Sequence, residues 1–88
     1  MNYLLCKHKV ANYARWKRVF DADAAAARKA GMHLLHIFRD TEDPKTVLLL
    51  IKVDSVKKAE AFIDAPDAGD YAKRAGVIGD PEIWFLRE

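Results

Sequence analysis

Three histidines, one cysteine and a single serine are the side chains in this sequence best suited to acid–base or nucleophilic chemistry. His33 and His36 form a His-x-x-His pair. On a helix that spacing would gather two imidazoles on one side, as a shared metal needs. On a strand it sends them to opposite faces. The pair lies in an apolar segment that reads as a strand, so no joint metal site is expected. His36 shares a strand face with Leu34 and Phe38 on that reading. A neutral imidazole on an apolar face can act as a base or orient a substrate carbonyl. The plainer reading is a structural histidine bonded to a neighbour or to water. His8 carries the same two readings on the first strand. With a third strand between them, His8 and His36 would lie about 10 Å apart at closest and make no dyad. Tyr3 and Tyr71 could supply a phenol proton, and Trp84 could line a cavity or seal an interface. Cys6 sits among apolar residues, where burial without a cationic neighbour raises a thiol's pKa and leaves it inert. Ser55 is better used as a helix cap, so no Ser-His-Asp arrangement is available. Arg15, Lys17 and Arg18, with Lys7 and Lys9, could draw anions, but Asp21 and Asp23 follow closely and a solvated helix face is the simpler reading.

The elements that must position these groups follow from periodicity. Tyr3 to Val10 alternates as a strand. Asn12 is a good N-cap, and Tyr13, Trp16, Phe20, Ala24 and Ala27 recur at helical spacing until Gly31 stops the helix. Trp16 and Phe20 fall on that buried stripe and read as core. Met32 to Arg39 and Thr46 to Val53 read as strands joined by the polar loop Asp40–Lys45, an antiparallel hairpin. Asp54 or Ser55 caps a second helix with Val56, Ala59, Phe62 and Ile63 inward, and Pro66 interrupts it. A shorter helix runs from about Asp67 to Ala75 and ends at Gly76. Gly79-Asp80-Pro81 reads as a turn before the last strand, Glu82 to Arg87. The order β-α-β-β-α-β with right-handed crossovers predicts a ferredoxin-like α+β fold: a four-stranded antiparallel sheet in the order 4-1-3-2, helices on one face.

Composition narrows the function classes. The 88 residues make one small domain, residues 1–88, that is 51% hydrophobic and 32% charged, in the range of an ordered globular chain. A chain of this size buries only about 60–65% of its unfolded surface, so a partner surface would help it. The net charge of +2 is too balanced for a nucleic-acid binder. The third strand also lacks the aromatics on which RNA-recognition modules stack bases. The apolar run Tyr3–Cys6 stops at Lys7, short of a signal-peptide core, and Val47–Ile51 is too short to span a membrane. A cytoplasmic protein without membrane association is expected, and free Cys6 agrees with a reducing compartment.

The strands are apolar on both faces. In the third, Leu48 and Leu50 point one way while Val47, Leu49, Ile51 and Val53 point the other. In the last, Ile83 and Phe85 oppose Trp84 and Leu86. Helices cover one face only, and the other would expose an apolar patch beyond the usual monomer limit. A second copy packed sheet to sheet with two-fold symmetry is the simplest remedy, so a homodimer is expected.

The segments Lys7–Asp21, Ala30–His36, Asp43–Val47 and Gly76–Glu82 together resemble the small dimeric α+β barrel proteins related to antibiotic-biosynthesis monooxygenases. The resemblance spans nearly the whole chain and implies that fold and a homodimer. Its members include cofactor-free oxygenases, haem-degrading enzymes, isomerases and cyclases, and stress-responsive proteins, so fold does not settle chemistry. The haem-degrading branch uses an asparagine within the first strand, a tryptophan ending the third and a histidine on the second helix. Here Asn2 opens the strand, Val53 stands in the tryptophan's place, and residues 56–64 hold no histidine. Haem degradation is disfavoured, and no cofactor or metal is expected. The resemblance makes a cofactor-free oxygenase acting on a small apolar molecule the leading enzyme type. His36 would orient the substrate, with Phe38, Trp84, His8 and Tyr3 as cavity candidates. The cavity would lie between helices and sheet or between two sheets. The alternative is a non-catalytic, stress-related or regulatory dimer with a packed interior.

Overall fold

The computed structural model describes residues 1–88. The chain runs β1 (Asn2–Val10), α1 (Tyr13–Ala22), α2 (Ala24–Lys29), β2 (Met32–Arg39), β3 (Thr46–Val53), α3 (Val56–Ile63), α4 (Ala68–Ala75) and β4 (Val77–Arg87). The four strands form one antiparallel sheet in the order β2-β3-β1-β4, the expected order read from its other edge.

Local chemistry sets the boundaries. The Asn12 side chain accepts the Arg15 amide at 2.9 Å and starts α1. The Ser55 hydroxyl does the same for Lys58 at 3.3 Å and starts α3. Gly76, at φ 73°, closes α4 in the left-handed conformation that a Cβ disfavours. In the β2–β3 loop, the Asp40 carboxylate accepts the Glu42 amide at 2.8 Å and the Asp43 carboxylate accepts the Thr46 hydroxyl at 3.0 Å.

One sheet face is covered. Leu4, Val10, Met32, Val47, Leu49, Ile51 and Val53 from the strands are buried with Trp16, Ala59 and Ala75 from the helices. The alternation along β3 is strict: odd residues are buried and even ones half-buried. Ala59 and Ala75 are fully enclosed, which is what small side chains permit when a helix lies close to a sheet. Trp16 stacks on Phe20 with ring centroids 5.0 Å apart, confirming both as packing residues.

Three features differ from the sequence expectation. The first helix breaks at Asp23, where ψ is 1°, and α2 continues separately. The alanine run after it carries no large side chain to hold one continuous axis, and α2 lies along β2. Gly79-Asp80-Pro81 is not a turn before β4 but a bulge inside it. Lys7 pairs with Glu82 and Lys9 with Ile78, so His8 alone stands opposite three residues. Pro81 cannot donate to a ladder, and β4 is an edge strand, where such a defect is tolerated. The third feature is a bulge in β2. Leu34 pairs with Ile51, but His36 pairs with Leu50, so Leu35 is the extra residue.

Candidate functional site

The helix-free face can be read row by row from the strand register. The central row is His36, Leu50, Leu5 and Trp84, running from β2 across β3 and β1 to β4. The row on one side is Phe38, Leu48, Lys7 and Glu82. On the other side Tyr3 lies between Lys52 and Leu86. The face is therefore an apolar band with charges at its ends. Its large side chains are open to solvent in the single chain: Leu35 at 44%, Phe38 at 49%, Trp84 at 43% and Leu86 at 44% exposure.

The β2 bulge decides which residues meet here. It turns His36 and Phe38 onto the helix-free face and leaves Leu34 on the helix side, opposite buried Ile51. The expectation that Leu34 shares a face with His36 and Phe38 is corrected on this ground. The same bulge puts His33, opposite Lys52, and His36, opposite Leu50, on the same side of the sheet rather than on opposite sides. His33 is engaged elsewhere: its Nε2 lies 3.0 Å from Oδ2 of Asp54, and this contact holds the Asp54 carboxyl below its usual range.

Tyr3, Leu35, His36, Leu50, Leu86 and Glu88 line an open hollow of about 370 Å³ on this face. The Tyr3 hydroxyl donates to Oε2 of Glu88 at 3.1 Å, and that bond raises the phenol's pKa. The single phenol proton of Tyr3 is thus engaged by Glu88. The His36 ring stacks on Phe38 at 5.4 Å and 28°. The other two imidazoles are taken up by contacts to Cys6 and Asp54, which leaves His36 as the histidine that faces the hollow. The site can therefore hold a small apolar body against Leu35, Leu50 and Leu86 and offer it one imidazole and one phenol. A smaller hollow of about 170 Å³ sits over the β4 bulge, lined by Lys7, Lys9, Asp80 and Glu82 among others, with charges of both signs.

Trp84 shares the central row with His36 but stands three strand spacings away, about 14 Å, and does not line the hollow. His8 is on the other side of the sheet altogether. It is buried at 9% exposure, its ring lies on Trp16 at 5.4 Å, and its Nδ1 is 3.6 Å from Sγ of Cys6. Burial lowers its pKa and pushes the Cys6 thiol up to about 11. The thiol is therefore protonated and inert, as expected. Two of the three basic residues of α1 make surface contacts: Lys17 pairs with Asp21 at 2.7 Å, and Arg15 donates to the Arg74 carbonyl at 3.1 Å. Leu35, Leu50, Leu86 and Glu88 are the lining residues that sequence reasoning missed as site residues, although Leu50 and Leu86 were placed on strand faces. Nothing in Met32–Arg39 signals a bulge, since it holds neither glycine nor proline. Glu88 could have been found from the pairing of the first strand with the last, which brings the two chain ends together.

No protein-family model matches the chain, and no curated protein matches it in sequence. Solved structures do. A protein from Bordetella bronchiseptica, provisionally named an antibiotic biosynthesis monooxygenase, superposes with a TM-score of 0.80 at 15% identity, covering 99% of this chain and 95% of its own. A provisionally named antibiotic biosynthesis monooxygenase from Deinococcus radiodurans gives 0.71 at 17% identity, covering 100% and 92%. An uncharacterised NIPSNAP domain protein from Burkholderia xenovorans gives 0.69 at 10% identity, covering 100% and 94%. At such identities the likeness is one of backbone, and it establishes architecture: this chain has the ferredoxin-like α+β fold of the antibiotic biosynthesis monooxygenase-like proteins.

Proposed function

We propose that the chain forms a two-fold homodimer through its helix-free face and binds a small, largely apolar molecule in the hollow beside His36. The observation that carries this reading is the central row itself. Leu50, Leu5 and Trp84 form a continuous apolar band on a sheet face that no element of the chain covers. Packing two such faces removes that surface from water and encloses the hollow of each copy between the sheets. His36 then becomes one polar, titratable group in an apolar chamber, suited to orient a carbonyl or take a proton, while the Tyr3 phenol donates its own hydrogen bond to Glu88. Phe38 supports the imidazole by stacking. The provisional names of the structures that share this fold make monooxygenation of the bound molecule the reaction to test first.

A second reading has its own support. The hollow lies in the face that a second copy would cover, and the helix side is already filled by Trp16. A dimer with a fully packed interior would be regulatory or stress-related rather than catalytic.

Native mass spectrometry on protein purified gently from its own host separates the two. A dimer carrying an added small molecule, lost on His36→Ala with the dimer intact, is the expected result. A dimer with nothing bound favours the packed reading, and a monomer overturns both.

A further inference from the structure

Strand β3 reads Thr-Val-Leu-Leu-Leu-Ile-Lys-Val, and Lys52 is its one charged residue. The register puts Lys52 on the helix-free face. It stands between His33 on β2 and Tyr3 on β1, two residues beyond Leu50 on the same side. Tyr3 and Leu50 both line the hollow beside His36. Lys52 therefore stands at its rim, with its backbone about 5 Å from that of Tyr3 and about 7 Å from that of Leu50. The residue is half-buried in the single chain already.

Its ammonium has no acidic partner. The ion pairs of the chain join Lys9 to Asp43, Lys17 to Asp21, His33 to Asp54 and Arg74 to Asp23, and none uses Lys52. Asp54 is held below its usual range first by His33, whose Nε2 takes its Oδ2 at 3.0 Å, and Lys52 only adds to this through its charge. Glu88 lies two strands away, just past β4, and accepts the Tyr3 hydroxyl at 3.1 Å. Lys7, toward the other end of the same face, has Glu82 directly across from it. Lys52 has no acid across from it on either side.

A cation in an apolar chamber is costly unless an anion meets it. Lysine is depleted from the cores of interfaces for that reason. A second sheet laid on this face would cover Lys52 together with Leu35 and Leu50. The chain's own neighbours supply no free carboxylate there, while the hollow beside it offers Leu35, Leu50 and Leu86 to an apolar body. A molecule that satisfies both has an apolar body and an acidic group at one end. Its carboxylate would accept charge-assisted hydrogen bonds from the ammonium, and its body would lie over Leu50 toward His36.

We propose that Lys52 sets the specificity of the hollow, and that the molecule held there is an apolar carboxylic acid with its carboxylate on the Lys52 ammonium and its far end toward His36. This inference rests on the reading of the hollow as a binding site.

The test is calorimetric titration of the full chain at neutral pH with two matched pairs of probes, 2-naphthoate with 2-naphthamide and octanoate with octanamide. Sedimentation of each variant reports the dimer. The expected result is that at least one acid binds more than about tenfold tighter than its amide, the range of a charge-assisted hydrogen bond. Lys52→Met should abolish that preference and leave both the amide's affinity and the dimer unchanged, and Lys52→Arg should retain it. Acid and amide binding alike, with Lys52→Met altering neither, overturns the proposal and leaves the hollow standing as a binding site. No binding of any probe to an intact dimer overturns both. A dimer lost in Lys52→Met and kept in Lys52→Arg would mean that Lys52 pairs with an acid of the second copy, which also overturns the proposal.

Discussion

Mild acidification, above the carboxylate range, should weaken this fold through His8. Its ring is buried against Trp16, beside a protonated thiol, and burial lowers its pKa. In the unfolded chain the same imidazole titrates near its ordinary value of about 6.5. Between that value and the lower folded one, the unfolded state holds more protons than the native state. Stability therefore falls as the pH falls through this window, at up to about 1.4 kcal/mol per pH unit, and levels off below the folded pKa. Above about pH 6.5 His8 contributes no slope. The whole stability of a domain this size is about 4–13 kcal/mol, so one such unit is a measurable fraction. Asp43 and Asp54 also have lowered pKa values, and the stability linked to them is lost only as the pH falls through and below the carboxylate range. The window for His8 is thus separate from theirs. The assay is urea unfolding from about pH 8 to about pH 5, at one protein concentration because dimerisation would shift the midpoint. His8→Phe keeps the ring's bulk and removes its proton. The wild type should lose stability across the window more steeply than the variant, since His33 and His36 are common to both. Equal slopes would refute the reasoning, because they would mean that His8 is solvated or paired when charged.

Other changes test the packing and the open face. Gly31→Ala should destabilise by about 1–2 kcal/mol for the left-handed backbone alone, and by more because the new Cβ would meet Cβ of Asp54 at 3.1 Å. Gly79→Ala, at φ 72° with open space around it, should show only the backbone part, and comparing their thermal melts isolates the Asp54 contact. Trp16→Ala should cost about 3–5 kcal/mol in chemical unfolding, because it empties the fully enclosed centre of the helix-side core. Leu50→Lys places a charge in the middle of the central row and should halve the mass seen by sedimentation while leaving the far-ultraviolet circular dichroism unchanged; an unaltered dimer would place the interface elsewhere.

Much of the architecture was legible because it rests on local and periodic signals. Asn12 and Ser55 cap helices through their own side chains, Gly76 stops one through its missing Cβ, and β3 alternates residue by residue. The two-sided apolar character of the strands was equally visible, and it carried the inference of an uncovered face. Part of the candidate site was legible too. His36, Phe38 and Tyr3 do share the helix-free face.

What the tertiary structure alone decided was facing and adjacency. One extra residue in β2, Leu35, separated Leu34 from His36 and brought His33 to the same side as His36, because every side chain beyond a bulge changes face. Three residues of β4 opposite His8 replaced an expected turn with a bulge. His8 and Tyr3 are both strand-one residues, yet one is sealed against Trp16 and the other opens onto a hollow with Glu88 from the far end of the chain. Sequence determines which residues have the chemistry and which elements carry them, since propensity and period act over a few residues. Which of them meet depends on register between distant strands, and a single inserted residue there reverses the answer.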